Sequence, residues 1–186
     1  MRDLMIDLET MGTSPTAAIV ALGAVFFDTE TGQLGDTFYH AISLESSVAA
    51  GGVVDMSTVL WWLKQSDAAR AELTDELRRV SLREALHAFH SFINREFSGD
   101  VRVWGNGSDF DNVILASAYK SLGLEAPWKF YNNRCYRTLK AFLPLVDVAR
   151  EGTHHNALHN AVHQARVLCE GDQALSHGAS PQTDEN

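Results

Sequence analysis

The chain has 186 residues, which suits one domain, with 45% apolar and 21% charged residues. That balance supplies a core and excludes a disordered chain, and no apolar run is long enough to span a membrane. A formal net charge of −9 argues against non-specific binding of nucleic acid over the whole surface, yet leaves room for an acidic site whose metals would face phosphate.

Residues 3–9 alternate, with Leu4, Ile6 and Leu8 on one face and Met5, Asp7 and Glu9 on the other. After Gly12 and Pro15, residues 19–27 read as a largely buried strand. Residues 29–33 read as a turn around Gly32, and 34–42 as a third strand, so the chain opens as a three-stranded meander. Ser57 is placed to cap a helix over 58–65, and Ser66 to cap the next segment. Ser81 and Glu84 form a capping-box pattern ahead of a helix that buries Leu82, Leu86, Phe89 and Ile93. A short strand is expected over 101–104 and a helix over 111–122. Another helix is expected over 138–146, where Pro144 should kink or end it, and a last one over 156–170. Residues 172–186 lose apolar content and read as a disordered tail after a domain of residues 1–171. No signal peptide is visible. Cys135 and Cys169 are expected as free thiols in a reducing, cytoplasmic setting.

Three segments carry candidate chemistry. Asp7 and Glu9 share one face of one strand, close enough to bind a cation together, and acids in an otherwise apolar strand are costly unless paired or metal-bound. In 104–112 a strand ends, glycines turn the chain and acids begin a helix. Simple capping by Asp109 or Asp111 is the plain alternative there. In 154–161, His155 is a candidate general base, while His155, His159 and His163 at i, i+4 spacing would form a transition-metal stripe on one helix face.

Together these blocks resemble the DEDDh branch of the ribonuclease-H-like 3′–5′ exonucleases, nearest its phage and bacterial type. Ile6-Asp7-Leu8-Glu9-Thr10 resembles the family's first motif, flanked by a second strand like Ile19 to Ala24. Asn106 to Asp111 resembles the second motif, and His155-Asn156-Ala157-Leu158 the start of the third. Trp61 to Gln65 and Arg137-Thr138-Leu139 look like further blocks of the same subgroup, in the family's order over about residues 3–170. The resemblance implies an α/β, ribonuclease-H-like fold with a mixed central sheet flanked by helices. It implies Asp7, Glu9, Asp111 and His155 as catalytic residues and two Mg2+ or Mn2+ ions. It also implies an Asp at position 160, where this chain has Asn160, preceded by His159. Asn160 is therefore expected to make one metal position weak, unless His159 or His163 replaces the lost ligand.

The expected reaction is metal-dependent 3′–5′ hydrolysis of single-stranded nucleic acid, with DNA slightly favoured over RNA and activity impaired by Asn160. Met11, Gly12, Trp61, Trp62 and Arg137 are the substrate-binding candidates. Consecutive tryptophans on a helix point apart, so at least one belongs to the core. The competing readings are a catalytically inactive relative that binds nucleic acid or regulates a partner, and a histidine-rich metal-binding protein. A homodimer is compatible with either nuclease reading, and no membrane partner is expected.

Overall fold

The computed structural model describes residues 1–74 and 79–178. Its centre is a six-stranded mixed sheet of order β4-β3-β2-β1-β5-β6. The strands are β1 (Asp3–Thr10), β2 (Ile19–Phe27), β3 (Leu34–Ile42), β4 (Arg79–Val80), β5 (Arg102–Gly105) and β6 (Asn133–Cys135). The antiparallel meander β1–β2–β3 follows the sequence pattern, and β5 and β6 then add parallel beside β1.

Period-two alternation divides the core between the two faces. Leu4, Ile6 and Leu8 of β1 and Leu22, Ala24 and Phe26 of β2 face a cluster closed by Leu86, Phe89 and Ile93 of α4 (Leu82–Glu96) and Ile114, Leu115 and Tyr119 of α5 (Asp111–Ser121). Met5, Val25 and Phe27 face the opposite cluster with Ala161, Ala165 and Leu168 of α7 (Ala157–Gly178). Every residue of β2 is buried, because helices cover both faces of this strand. The Ser81–Glu84 capping box forms as the pattern requires.

The connecting helices depart from the sequence pattern in instructive places. Helix α1 (Leu44–Ala49), capped by Ser43, and the two short parallel strands β4 and β6 carry no periodicity that betrays them. Helix α2 (Met56–Trp62) starts two residues before the expected 58, because Asp55 rather than Ser57 caps it: Asp55 Oδ1 accepts from the Ser57 backbone N at 3.0 Å. Helix α3 (Asp67–Thr74) follows Ser66, whose Oγ accepts from Ala69 N. The helix expected over 138–146 is only α6 (Tyr136–Lys140). A continuing helix would drive the Pro144 ring into the Lys140 carbonyl, four residues back. Helix α7 runs seven residues beyond the expected domain end at 171, so 172–178 are helical and not a disordered tail. The remainder of that segment, 179–186, lies outside the described residues.

One close approach sets the position of α7. A Cβ on Gly23 would fall inside the backbone of Ala157 and Leu158, so the first turn of α7 rests directly on β2. Gly23 is also the ladder partner of Asp7. Gly23→Ala should push α7 off the sheet and destabilise the fold by about 1–3 kcal/mol, an overpacking cost read as a lower urea midpoint. A midpoint within error of wild type would show that the contact can relax.

Candidate active site

Strands β1, β5 and β6 are mutually parallel, so their C-terminal ends open on one edge, the usual place for a site in parallel sheets. Asp7 and Glu9 lie toward the end of β1. The loop after β5 leads to Asp111 at the start of α5, and Arg137 follows β6 on α6. Asp7, Glu9, Asp111, Asn160 and Arg137 line one cleft of about 440 Å³ with Thr13, Asn106, Asp109 and Phe110.

Each acid is held by named donors. The β1–β5 ladder ends at Met5 and Trp104, which leaves the Leu8 backbone N without a strand partner on that side. Asp111 supplies the acceptor: Oδ1 takes Leu8 N at 3.1 Å, and Oδ2 takes Asn106 N at 2.9 Å. Asp111 is thus turned back across the sheet and caps no helix; the residue preceding α5 is Phe110, without a side-chain cap. Asp7 Oδ1 accepts from Gln164 Nε2 at 2.8 Å, and its Oδ2 from Asn160 Nδ2 at 3.1 Å. Asn160 Nδ2 also reaches Glu9 Oε1 at 3.2 Å.

A second, apolar lobe of about 520 Å³ adjoins the first and shares Leu8, Glu9, Thr13 and Phe110 with it. Gly12, Trp61 and Trp62 line it together with Ser57 and Thr58. The tryptophans divide as consecutive helical residues must. Trp62 is buried and donates Nε1 to Thr10 O at 3.0 Å, while Trp61 is exposed. Met11 is not among the lining residues: its side chain is buried against Ala18, Val20 and Trp62, and only its neighbour Gly12 reaches the cleft. His155 lies beside this lobe rather than in the lining of the acidic cleft. Its ring packs edge-on to Trp61 and Trp62, with centroids 4.9 and 5.8 Å apart, from a left-handed backbone at φ 62°. That backbone precedes α7, so His155, His159 and His163 do not share a helix face. His159 Nδ1 accepts from Thr153 N at 3.0 Å and faces the preceding loop. The histidine stripe is therefore absent.

Burial pushes the Asp7 carboxyl up from its ordinary 3.8 to about 6, against the pull of Asn160, Gln164 and the Arg150 charge. Burial and the neighbouring Asp7 charge raise Asp111 well above the ordinary range, against the Leu8 and Asn106 amides. Burial, with His154 and Arg150 nearby, lowers the His155 pKa and favours its neutral ring. Three carboxylates suit a hard cation chemically. In this structure amide donors occupy their oxygens, and among the described residues no three His, Cys, Asp or Glu side chains are drawn together around a common point. Asn160 presents its NH2 to the acids, so it is not oriented as the metal ligand expected from the sequence.

The 3′–5′ exoribonuclease Rv2179c-like domain family matches residues 2–171. The chain belongs to this family. It is 28% identical to the exodeoxyribonuclease of Enterobacteria phage T4 over 78% of this chain and 74% of that protein. The nuclease domain of 3′hExo, a DEDDh family member solved with rAMP, superposes with a TM-score of 0.61 at 14% identity, covering 95% of this chain and 92% of that one. E. coli exonuclease I in complex with a dT13 oligonucleotide gives 0.58 at 14% identity; 95% of this chain is covered, against 42% of that longer protein. At these identities the structural likenesses establish only that the chain shares the fold of the DEDDh-family nuclease domain, and the family match makes it a 3′–5′ exonuclease domain.

Two residues of the site escaped the sequence reading. Gln164 had a signal: it lies four residues after Asn160 and therefore on the same face of α7. Arg150, whose Nη1 donates to Asn160 Oδ1 at 2.8 Å, comes from an irregular segment and had none.

The raised Asp7 pKa has a definite sign. The folded chain holds this proton more tightly than the unfolded one, so between pH 3.8 and about 6 Asp7 makes stability fall as pH rises. Asp111 acts in the same direction. In urea titrations with EDTA, the stability of Asp7→Asn minus that of wild type should widen as pH rises through this window. A difference that stays flat would show that Asp7 is not desolvated.

Proposed function

We propose that the chain removes nucleotides from the free 3′ end of single-stranded nucleic acid, with Mg2+ or Mn2+ recruited by Asp7, Glu9 and Asp111. The observation that carries this reading is the pairing of lobes: an acidic cleft continuous, through Leu8, Glu9, Thr13 and Phe110, with an apolar one. A phosphodiester needs the first, and the base next to it needs the second. A cation bound among the carboxylates would polarise the phosphoryl oxygen and ease ionisation of the attacking water.

The chain's own groups take the other roles. Trp61 offers an exposed ring for stacking the terminal base, and Trp62 fixes the wall behind it through Thr10 O. Arg137 stands at the rim of the acidic lobe, with Nη2 held by Asn106 O at 3.1 Å and its other donors available to phosphate. His155, kept neutral by its surroundings, is the proton acceptor. Thr13 and Thr58 line the lobe where the sugar would lie; the T4 relative, an exodeoxyribonuclease, supports DNA as the substrate, while the exoribonuclease description of the matching family supports RNA. A second reading, an inactive relative that only binds strands, is favoured by the NH2 that Asn160 turns toward Asp7 and Glu9.

The deciding assay uses 5′-labelled DNA and RNA strands of matched sequence in Mg2+ or Mn2+. Stepwise shortening from the 3′ end is expected, and Asp7→Asn should abolish it. His155→Ala should lower kcat by about 10²-fold or more. Trp61→Ala should cost roughly 1–3 kcal/mol of binding, seen mainly in KM. Strand binding without shortening in either metal would select the second reading.

A further inference from the structure

The orientation of the Asn160 amide is fixed by chemistry on both sides. A guanidinium only donates, so the amide oxygen must face Arg150 Nη1, 2.8 Å away. Ionised carboxylates only accept, so the NH2 must face Asp7 Oδ2 and Glu9 Oε1, at 3.1 and 3.2 Å. Turning the amide over would set oxygen against carboxylate and NH2 against guanidinium at once. One neutral group therefore links two acids, with a permanent positive charge directly behind it.

Arg150 is not a wandering surface side chain. The residues around it are tied to α7 at two further points: Glu151 pairs with Arg166 at 2.8 Å, and Thr153 N donates to His159 Nδ1 at 3.0 Å. With the Arg150–Asn160 bond, residues 150–153 form a strap fastened to the first turns of α7. On the other side, Gln164 closes the second oxygen of Asp7.

We propose that Arg150 and Asn160 together replace one of the two cations that the family resemblance implies: Arg150 positions the amide, the amide bridges Asp7 and Glu9 in that ion's place, and one divalent-cation position remains among the carboxylates. This rests on the reading of the acids as a cation site. Arg150 is here a positioning residue and touches no substrate. The hydrogen bonds also account for the absence of a ready three-ligand group among the described residues, since the acids are turned toward amides.

The test counts Mn2+ ions bound to the full chain without nucleic acid, from the electron-spin signal of free Mn2+. Wild type should bind one ion per chain. Arg150→Met frees the amide to present its oxygen, and should tighten a second ion at least tenfold. Arg150→Lys keeps a donor and a charge, and should behave as wild type. The double variant Arg150→Met with Asn160→Asp should bind two ions. A readout independent of affinity is the Asn160 side-chain amide in nitrogen–proton spectra: it should stay in place on adding Mg2+ to wild type and move in Arg150→Met. Two equivalent ions on wild type would overturn the proposal while leaving the cation site intact. An unchanged titration for a folded Arg150→Met would do the same. Failure of every variant to bind Mn2+ would overturn both the proposal and the cation-site reading.

Discussion

Three carboxylates are brought to the edge of the sheet and taken almost wholly out of water: Asp7 and Glu9 are 7% exposed and Asp111 2%. Buried charge is tolerable only where donors surround it, and the surrounding structure supplies them. The early end of the β1–β5 ladder frees the Leu8 amide for Asp111. The loop after β5 turns the Asn106 amide to the same carboxylate. Helix α7 presents Asn160 and Gln164 to Asp7 one turn apart. Backbone and side-chain amides thus do at this edge what cations alone would do in a barer cluster.

The same demand explains the two glycines that flank the acids. Gly23 lets α7 rest on β2 beside Asp7, which brings Asn160 and Gln164 within hydrogen-bond reach. A Cβ on Gly105 would collide with Asn112 Oδ1 and crowd Asp111, so the start of α5 can close on the end of β5 only because that residue has no side chain. Remove either close approach and the donors no longer meet the acceptors. The site depends on backbone proximity as much as on its acids.

How much of this was legible in the sequence follows from what each element rests on. The meander and α4 were readable because alternation and capping are local, as with Leu4, Ile6 and Leu8 or Ser81 and Glu84. The convergence of Asp7, Glu9 and Asp111 was readable only through resemblance, since it depends on β5 pairing across nearly a hundred residues of chain. Strands β4 and β6 are too short to show a period. Met11 looked adjacent to the cleft because it follows Thr10, but its side chain goes to the core. The i, i+4 spacing would set His155 on one helix face with His159 and His163, yet its backbone is left-handed and its ring is held by two tryptophans from α2. Arg150 could not be found from sequence, because its partner is set by a strap whose path only the tertiary structure defines.

The strict alternation of β1 has one more effect. Asp3, Met5, Asp7 and Glu9 share one face of the strand, and Leu4, Ile6 and Leu8 the other; the ladder with β2 stays in step from Asp3 to Glu9 and shifts only beyond Glu9. A slip of β1 by one residue would exchange the two faces. It would drive three carboxylates beneath α4 and α5, where the cluster is apolar, and expose three aliphatic side chains to the amides of α7. Misregistered pairing is therefore penalised on both faces together, and the residues that serve the chemistry also act as proofreaders of the strand's own alignment during folding.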